Sequence, residues 1–352
     1  MDDQTLPIQW GPEGEQSAAL GSQDAELIKV RDYLLRQDPG GERFARVLRQ
    51  TIDQLLDGEN TGRYDWQDLH KTEKTHAGTL VEINLQREFG FASHAEDGTI
   101  HMDYLIEDIE VDCKFSQRKY GWMIPPEAMG EICLVVWADD ATSRWSAGLL
   151  RADRAALTES DGKTKRGNRD GKFSLTRRHH GLVTWLWDDM PLKENLLLHL
   201  DGATRKSIMN AGWGIQAGKP GRNARWNGQA AVNELFRLVH QRIVDRSVVR
   251  TLARQHDYMA RIRMDKGNSR ARPKLRHSGI IILGQDSEHG RIAEQLGVPV
   301  PGDGEFVAVR VRRARTGDQK AAQIEGGGWT LADEGDQDEV APRLPTKRGQ
   351  DQ

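Results

Sequence analysis

The sequence predicts a protein of two domains, an α/β domain in the N-terminal half and a mainly α domain in the C-terminal half. The chain has 352 residues, whereas a single domain has about 100–200. Apolar residues recur at helical spacing in the first part of the chain and are then followed by several short strand-like runs. A polar, glycine-rich stretch then precedes a second series of helix-like segments. These three observations favour two separate cores.

The expected boundaries follow from changes in composition along the chain. Residues 1–22 and 333–352 are polar and contain several acidic residues, so we expect a disordered leader and a disordered tail there. Residues 158–173 are rich in Gly and basic residues and indicate a linker. The first domain is therefore expected at 23–157 and the second at 174–332.

The first domain is predicted to contain three helices followed by four strands. The helices are carried by Leu27–Leu34, by Phe44–Leu56 and by a stretch that starts near Thr75 and ends at Phe89. The predicted strands are Tyr104–Ile106, Ile109–Phe115, Ile132–Trp137 and Trp145–Leu150.

The second domain is predicted to be helical at first and to gain strands later. Helix-like segments occur at Leu182–Trp187, Glu194–Leu200 and Arg205–Met209, and apolar strands at Ile280–Leu283 and Phe306–Val311. Between them, a helix at Ala230–Ile243, a turn at Asp245-Arg246 and a helix at Ser247–Gln255 have the spacing of a helix-turn-helix.

Composition excludes several classes of protein. Met1 is followed by Asp2 and Asp3, which does not fit a secretory signal, and no apolar run approaches the about 20 residues of a membrane helix. Two cysteines, Cys113 and Cys133, are too few for a disulfide framework or a cysteine-rich zinc site. We therefore expect a cytoplasmic protein with buried, reduced thiols.

A basic region lies inside a chain whose net charge is only −3. Residues 151–290 contain 27 Lys and Arg against 14 Asp and Glu. Such a local excess is typical of a nucleic-acid surface, although a solvated face would give the same count. The predicted DNA-binding residues are Arg250, Arg254, Arg261 and Arg263, which are suited to phosphate contact and guanine recognition. A three-helix core with a basic outer face is the alternative.

The segment HMDYLIEDIEVDCKF carries the chemistry. In a strand, Asp112 and Lys114 point to the same face because side chains alternate. Asp103, from the preceding arm or loop, could meet Asp112 at the edge of the sheet. Carboxylates hold Mg²⁺ and a neighbouring ammonium stabilises charge on an attacked phosphate, so the pattern fits phosphodiester hydrolysis. Exposed charges on a hairpin would produce the same pattern by chance.

A fourth candidate residue is Glu82, within the apolar helical stretch LVEINL. From the helix before the hairpin, its carboxylate could reach the metal. An exposed glutamate that pairs with Arg87 or Lys74 is the other interpretation.

Longer stretches of the chain resemble the NaeI family of restriction endonucleases, from about residue 25 to about residue 330. The segments that carry the resemblance are LLDGENTGRYDWQDLHKTEKTHAGTLVEINLQREF, VDCKFS, PPEAMGEICLVVWA, KENLLLHL, VNELFRLVHQRIVDR and GIIILGQD.

This resemblance implies a PD-(D/E)xK restriction-endonuclease fold, a mixed sheet with flanking helices. It implies an active site of Glu82, Asp103, Asp112 and Lys114, in which the three carboxylates hold Mg²⁺. Met102 stands where this superfamily usually has proline.

The resemblance also implies type II cleavage of both strands of duplex DNA at a GC-rich palindrome such as GCCGGC. It implies a homodimer with a C-terminal, catabolite-activator-like helix-turn-helix domain. That domain would bind a second DNA site that stimulates cleavage.

Two other classes of function compete with the nuclease. One is a non-catalytic DNA-binding regulator with the same two domains, which the intact set of four site residues disfavours. The other is a ligase or topoisomerase, because Leu55–Asn60 echoes the ligase motif K-x-D-G-x-R. Leu55 stands where that motif needs its nucleophilic lysine, so we interpret the stretch as a helix end and a turn.

Overall fold

The computed structural model describes residues 24–92, 101–154, 157, 172–175, 177–215, 225–263 and 269–345. The predicted leader, and residues 158–171 of the predicted linker, lie outside the described residues.

The described helices and strands follow one another in groups along the chain. The helices are α1 (Ala25–Gln37), α2 (Glu42–Leu56), α3 (Gly58–Thr61), α4 (Lys71–Phe89), α5 (Leu196–His199), α6 (Gly202–Trp213), α7 (Gly228–Leu238), α8 (Arg246–Ala253), α9 (Ala271–Leu275) and α10 (Ser287–Leu296). The strands are β1 (Tyr104–Ile106), β2 (Ile109–Ser116), β3 (Ile132–Asp139), β4 (Arg144–Arg151), β5 (Thr184–Pro191), β6 (Val244–Asp245), β7 (Ile280–Leu283), β8 (Glu305–Arg313), β9 (Ala322–Ile324) and β10 (Gly327–Leu331).

The chain forms two compact units whose boundaries differ from the expected ones. The first unit contains the chain up to Leu55 together with Leu69–Glu194. The second contains Leu56–Asp68 and everything from Asn195 onward. The chain therefore enters the second unit briefly, returns to the first, and passes to the second again after Glu194 rather than near residue 174.

The first unit contains a five-stranded mixed sheet in the order β1-β2-β3-β4-β5. Strands β2 and β3 are parallel, while the other neighbours are antiparallel. The parallel pair requires a crossover, which residues 117–131 provide. The predicted α/β class and all four predicted strands are confirmed, with ends that differ by at most two residues.

The prediction of a helix at Leu182–Trp187 is wrong, because Thr184–Pro191 is the fifth strand of this sheet and pairs with β4. Trp187 is 4% exposed and its ring lies 4.7 Å from that of Phe44. The alternation of Trp185 and Trp187 was the available signal for a strand. The expected start of the second domain at residue 174 is corrected for the same reason, since β5 belongs to the first unit.

An aromatic cluster connects the helices of the first unit to its sheet. Phe44 of α2 is fully buried, and its ring lies 4.8 Å from that of Phe89 and 6.1 Å from that of Trp145. Rings at these distances add to the stabilisation that burial alone provides. This packing fixes α4, the helix that carries Glu82, to the same core as the sheet.

The second unit contains more sheet than the predicted mainly α domain. Strand β8 is its centre and pairs antiparallel with β6, β7 and β10, and β9 pairs with β10. Strands β9 and β10 were not predicted. Glu325 and Gly326, both with positive φ, form the two-residue turn between these strands. The run of three glycines at 326–328 was the available signal for this turn.

The helix-turn-helix spacing predicted from the sequence is not what the chain adopts. Helix α7 ends at Leu238 rather than Ile243, because Val244 and Asp245 pair with β8 and so draw the preceding residues out of the helix. Seven residues, 239–245, then separate α7 from α8. A helix-turn-helix has a turn of about three to four residues, so these two helices do not have that spacing.

The prediction of a disordered tail is wrong for residues 333–345. Ala341 is fully buried and Leu344 is 6% exposed, both in a core cluster of the second unit. Arg276 donates from Nε to the Ala341 carbonyl at 2.8 Å. The few apolar residues of this polar stretch are buried and hold it in place. Residues 346–352 lie outside the described part.

Across the described ranges, no helix is both long enough and apolar enough to cross a membrane.

A buried histidine connects the tail to the core of the second unit. His289 of α10 is 3% exposed, and its Nδ1 accepts a hydrogen bond from the Gly284 amide at 3.1 Å. Its Nε2 lies 3.0 Å from the Pro345 carbonyl and can donate to it. This pairing requires the neutral ring, and burial lowers the pKa of His289 to about 4.

We expect acid to weaken the second unit through His289. The unfolded ring takes up a proton near pH 6.5 and the folded ring only near pH 4, so stability falls as the pH drops from 6.5 towards 4. The contribution between pH 7.5 and 5 is about 2 kcal/mol. Urea denaturation at the two pH values measures it. His289→Gln should lose part of this pH dependence, whereas a substitution of the exposed His277 should not; equal pH dependence in both variants would contradict the assignment.

Candidate active site

Strand β2 places two of the predicted site residues on one face of the first sheet. Asp112 and Lys114 alternate with Val111 and Cys113, so they share a face. In the register with β3, Asp112 lies beside Cys133, which belongs to an apolar cluster. Asp112 is 5% exposed for this reason.

The hairpin of β1 and β2 brings Asp103 to the same place. Glu107 and Asp108, both with positive φ, form a two-residue turn, and Tyr104 then pairs with Val111. Asp103 therefore lies next to Asp112 across the hairpin. Its Oδ2 accepts a hydrogen bond from the Cys113 amide at 2.7 Å, which fixes the carboxylate.

Lys114 joins the two carboxylates. Its Nζ lies 2.6 Å from Asp112 Oδ1 and 3.8 Å from Asp103 Oδ2. Burial raises the pKa of Asp112, and the neighbouring ammonium opposes this effect. Burial alone would lower the pKa of Lys114, but the two carboxylates raise it instead, so the lysine is a cation.

Glu82 lies close enough to these groups to share their electrostatic field. The Tyr104 hydroxyl donates to the Glu82 carbonyl at 2.8 Å, which connects α4 to the edge of the sheet. Burial raises the pKa of Glu82 to about 7, and the negative charge of Asp103 adds to this effect. The structure therefore brings all four predicted site residues into one neighbourhood.

The donor set fits a Mg²⁺ ion. Among the described residues, no group of three or more His, Cys, Asp or Glu side chains is arranged to hold a metal directly, and the Lys114 ammonium contacts both Asp103 and Asp112. Mg²⁺ at phosphoryl-transfer sites needs only one or two carboxylates, together with waters and phosphate oxygens. Asp103 and Asp112 can supply the two carboxylates.

Tyr104 and Cys133 are the residues at this site that sequence reasoning missed. Tyr104 is fully buried and holds the Glu82 carbonyl, and Cys133 Sγ lies 3.8 Å from Asp112 Oδ2. Their positions next to the site follow from strand register. The sequence gives no motif for either.

The four arginines predicted to bind DNA all lie in the second unit. Arg250 is on α8, Arg254 ends that helix with a φ of 48°, and Arg261 ends a short 3₁₀ helix. Arg263 is exposed. All four belong to one stretch of the chain, but they differ in how far protein groups contact their side chains.

Protein groups already engage two of these arginines. The guanidinium of Arg254 lies 4.4 Å from the ring centre of Trp226 and 5.4 Å from that of Trp213. The guanidinium of Arg250 lies 5.3 Å from the ring centre of Tyr258. Cation–π contacts of this kind hold the side chains in place. A role of these arginines in DNA binding remains a prediction.

The buried Asp112, the partly buried Asp103 and the Lys114 ammonium that contacts both define a candidate centre for phosphodiester hydrolysis. The family model described as restriction endonuclease NaeI matches residues 28–340. The type II restriction enzyme NaeI of Lentzea aerocolonigenes is 46% identical over 328 residues, which cover 92% of this chain and 96% of that protein. The chain therefore belongs to the NaeI family of restriction endonucleases.

The geometry predicts which charges are indispensable. Asp112→Ala and Lys114→Ala should each lower the single-turnover rate of DNA cleavage by at least about 1000-fold, because both groups act on charge that develops in the transition state. Binding of a DNA duplex, measured by fluorescence anisotropy, should persist in both variants. Asp108→Asn is the matched control, since Asp108 is exposed in the turn of the same hairpin. Cleavage at the unsubstituted rate in either test variant would contradict the site.

Glu82 gives a separate prediction. If its carboxylate acts at the centre, Glu82→Gln should slow cleavage at least about tenfold while leaving the unfolding midpoint unchanged, because the substitution preserves shape and removes charge. Glu127→Gln, at an exposed position of the same unit, should have no effect. A Glu82→Gln protein that cuts as fast as this control would remove Glu82 from the site.

Proposed function

We propose that this member of the family hydrolyses phosphodiester bonds in both strands of duplex DNA with Mg²⁺, through Glu82, Asp103, Asp112 and Lys114. Its class is that of the type II site-specific deoxyribonucleases. The choice of residues rests mainly on the position of the Lys114 ammonium, which lies 2.6 Å from Asp112 Oδ1 and 3.8 Å from Asp103 Oδ2. Type II restriction endonucleases generally use divalent metal ions, and this donor set suits one.

Each residue has a distinct task in this proposal. Asp103 and Asp112 would hold Mg²⁺, with Glu82 reaching it directly or through water. When bound, the metal supplies positive charge at the phosphate and a water of lowered pKa. Lys114 remains cationic beside Asp112, so its ammonium can orient the attacking water or balance charge on the phosphate. The hydrogen bond from the Cys113 amide keeps Asp103 directed to the centre.

The finer parts of the proposal concern how the enzyme selects DNA. We propose a PD-(D/E)xK nuclease unit that acts as a homodimer on a GC-rich palindrome such as GCCGGC, since a two-fold symmetric dimer suits a palindrome. We further propose that the second unit binds another DNA site that stimulates cleavage. The part of the basic region that lies in this unit, residues 195–290, contains 17 Lys and Arg against 7 Asp and Glu, which supports DNA binding there.

A non-catalytic regulator is the less favoured function. Such a protein would have no use for a partly buried lysine that contacts two carboxylates, because the burial of charged groups costs free energy.

Cleavage of plasmid DNA tests the proposed function. We expect the purified protein with Mg²⁺ to convert a plasmid that contains GCCGGC into discrete linear fragments, and EDTA to prevent this. Sequencing of the fragment ends then gives the recognition sequence and the cut position. A protein that binds DNA but leaves every plasmid intact with Mg²⁺ or Mn²⁺ would favour the regulator instead.

A further inference from the structure

Residues Leu56–Asp68, here called the inserted segment, belong to the second unit although the chain on both sides belongs to the first. The segment packs against α8, the helix of Arg250. Tyr64 contacts the core cluster of the second unit, and its carbonyl accepts a hydrogen bond from Asn195 Nδ2 at 2.7 Å. Trp66 is 8% exposed. The inserted segment is therefore packed into the second unit and hydrogen-bonded to it.

Two glycines allow the inserted segment to approach α8 closely. A Cβ atom at Gly58 would lie 2.1 Å from Thr251 Oγ1, and one at Gly62 would lie 2.5 Å from Arg254 Nη2. Gly62 also has a φ of +75°, which side chains disfavour. The inserted segment is consequently in direct contact with Thr251 of α8 and with Arg254, which ends that helix.

Glu59 of the inserted segment faces one of the arginines predicted to bind DNA. Its Oε2 lies 4.0 Å from Arg250 Nε and 3.4 Å from His256 Nδ1. The distance to Arg250 is that of an ion pair without a hydrogen bond. Indeed, Arg250 Nε has no hydrogen-bond partner among the described residues. About a third of the Arg250 side chain remains exposed.

We propose that Glu59 substitutes for a DNA phosphate at Arg250, so that a duplex bound by the second unit must displace the Glu59 carboxylate from this arginine. The proposal rests on the second DNA site of the proposed function. Arg250 Nε is buried, but about a third of the side chain is exposed, so a phosphate oxygen can form a charge-assisted hydrogen bond with the exposed part of the guanidinium. The stacking of Arg250 on Tyr258 does not depend on Glu59, so the arginine stays in place during the exchange.

Competition from Glu59 raises the duplex concentration that is needed to occupy the second DNA site. The Glu59 carboxylate is tethered beside Arg250 and competes at a high effective concentration. A duplex with several phosphate contacts displaces it, whereas a weaker ligand does not.

The experiment measures stimulation of the full-length protein. Single-site plasmid is cut with Mg²⁺ in the presence of increasing amounts of a short duplex that contains GCCGGC, and the half-stimulating duplex concentration is determined. Glu59→Gln should lower this concentration roughly two- to fivefold, the range for a partly exposed ion pair. Glu294→Gln, at an exposed position of α10, should leave it unchanged.

A double-mutant cycle separates displacement from simple charge repulsion. Arg250→Ala should raise the half-stimulating concentration, and the addition of Glu59→Gln to that variant should change nothing further. An equal effect of Glu59→Gln with and without Arg250 would mean general repulsion and overturn the proposal. An unchanged midpoint in Glu59→Gln alone would also overturn it while leaving the second site intact. If no duplex stimulates the unsubstituted protein, the second site itself fails, and this proposal with it.

Discussion

The pairing of Lys114 with two carboxylates is the interaction on which the site depends. A lysine and an aspartate on a buried strand would be unstable singly, because each charge loses its hydration. Asp112 and Asp103 compensate Lys114, at 2.6 and 3.8 Å from its Nζ. This compensation requires a fixed register between β1 and β2, since a slip by one residue would turn Asp112 to the opposite face. The strand register of the sheet therefore keeps the residues of the candidate active site together.

Most of the candidate site could be predicted from the sequence because its signals are local. The alternation of a strand places Asp112 and Lys114 together, and a short hairpin returns Asp103 to them. Tyr104 and Cys133 could not be predicted as neighbours of the site, because they depend on pairing across strands and on packing of α4. Local patterns do not contain that information.

The fold predictions that failed did so where tertiary pairing decided the structure. The segment at 184–191 has residues compatible with a helix, but its pairing with β4 and the burial of Trp187 make it a strand. Helix α7 ends early because Val244 pairs with β8. The inserted segment was assigned to the first domain by its place in the sequence, although it packs in the second unit. In each case the partner is distant along the chain.

Metal-directed cleavage of the polypeptide tests the central claim most directly. Fe²⁺ accepts oxygen ligands and can replace Mg²⁺ at such a site, and with ascorbate and peroxide it cuts the protein backbone close to where it is bound. The account predicts cuts near Glu82, Asp103 and Asp112, which excess Mg²⁺ suppresses and Asp112→Asn removes. Backbone cuts confined to other parts of the chain, or cuts at these residues that persist in Asp112→Asn, would contradict it.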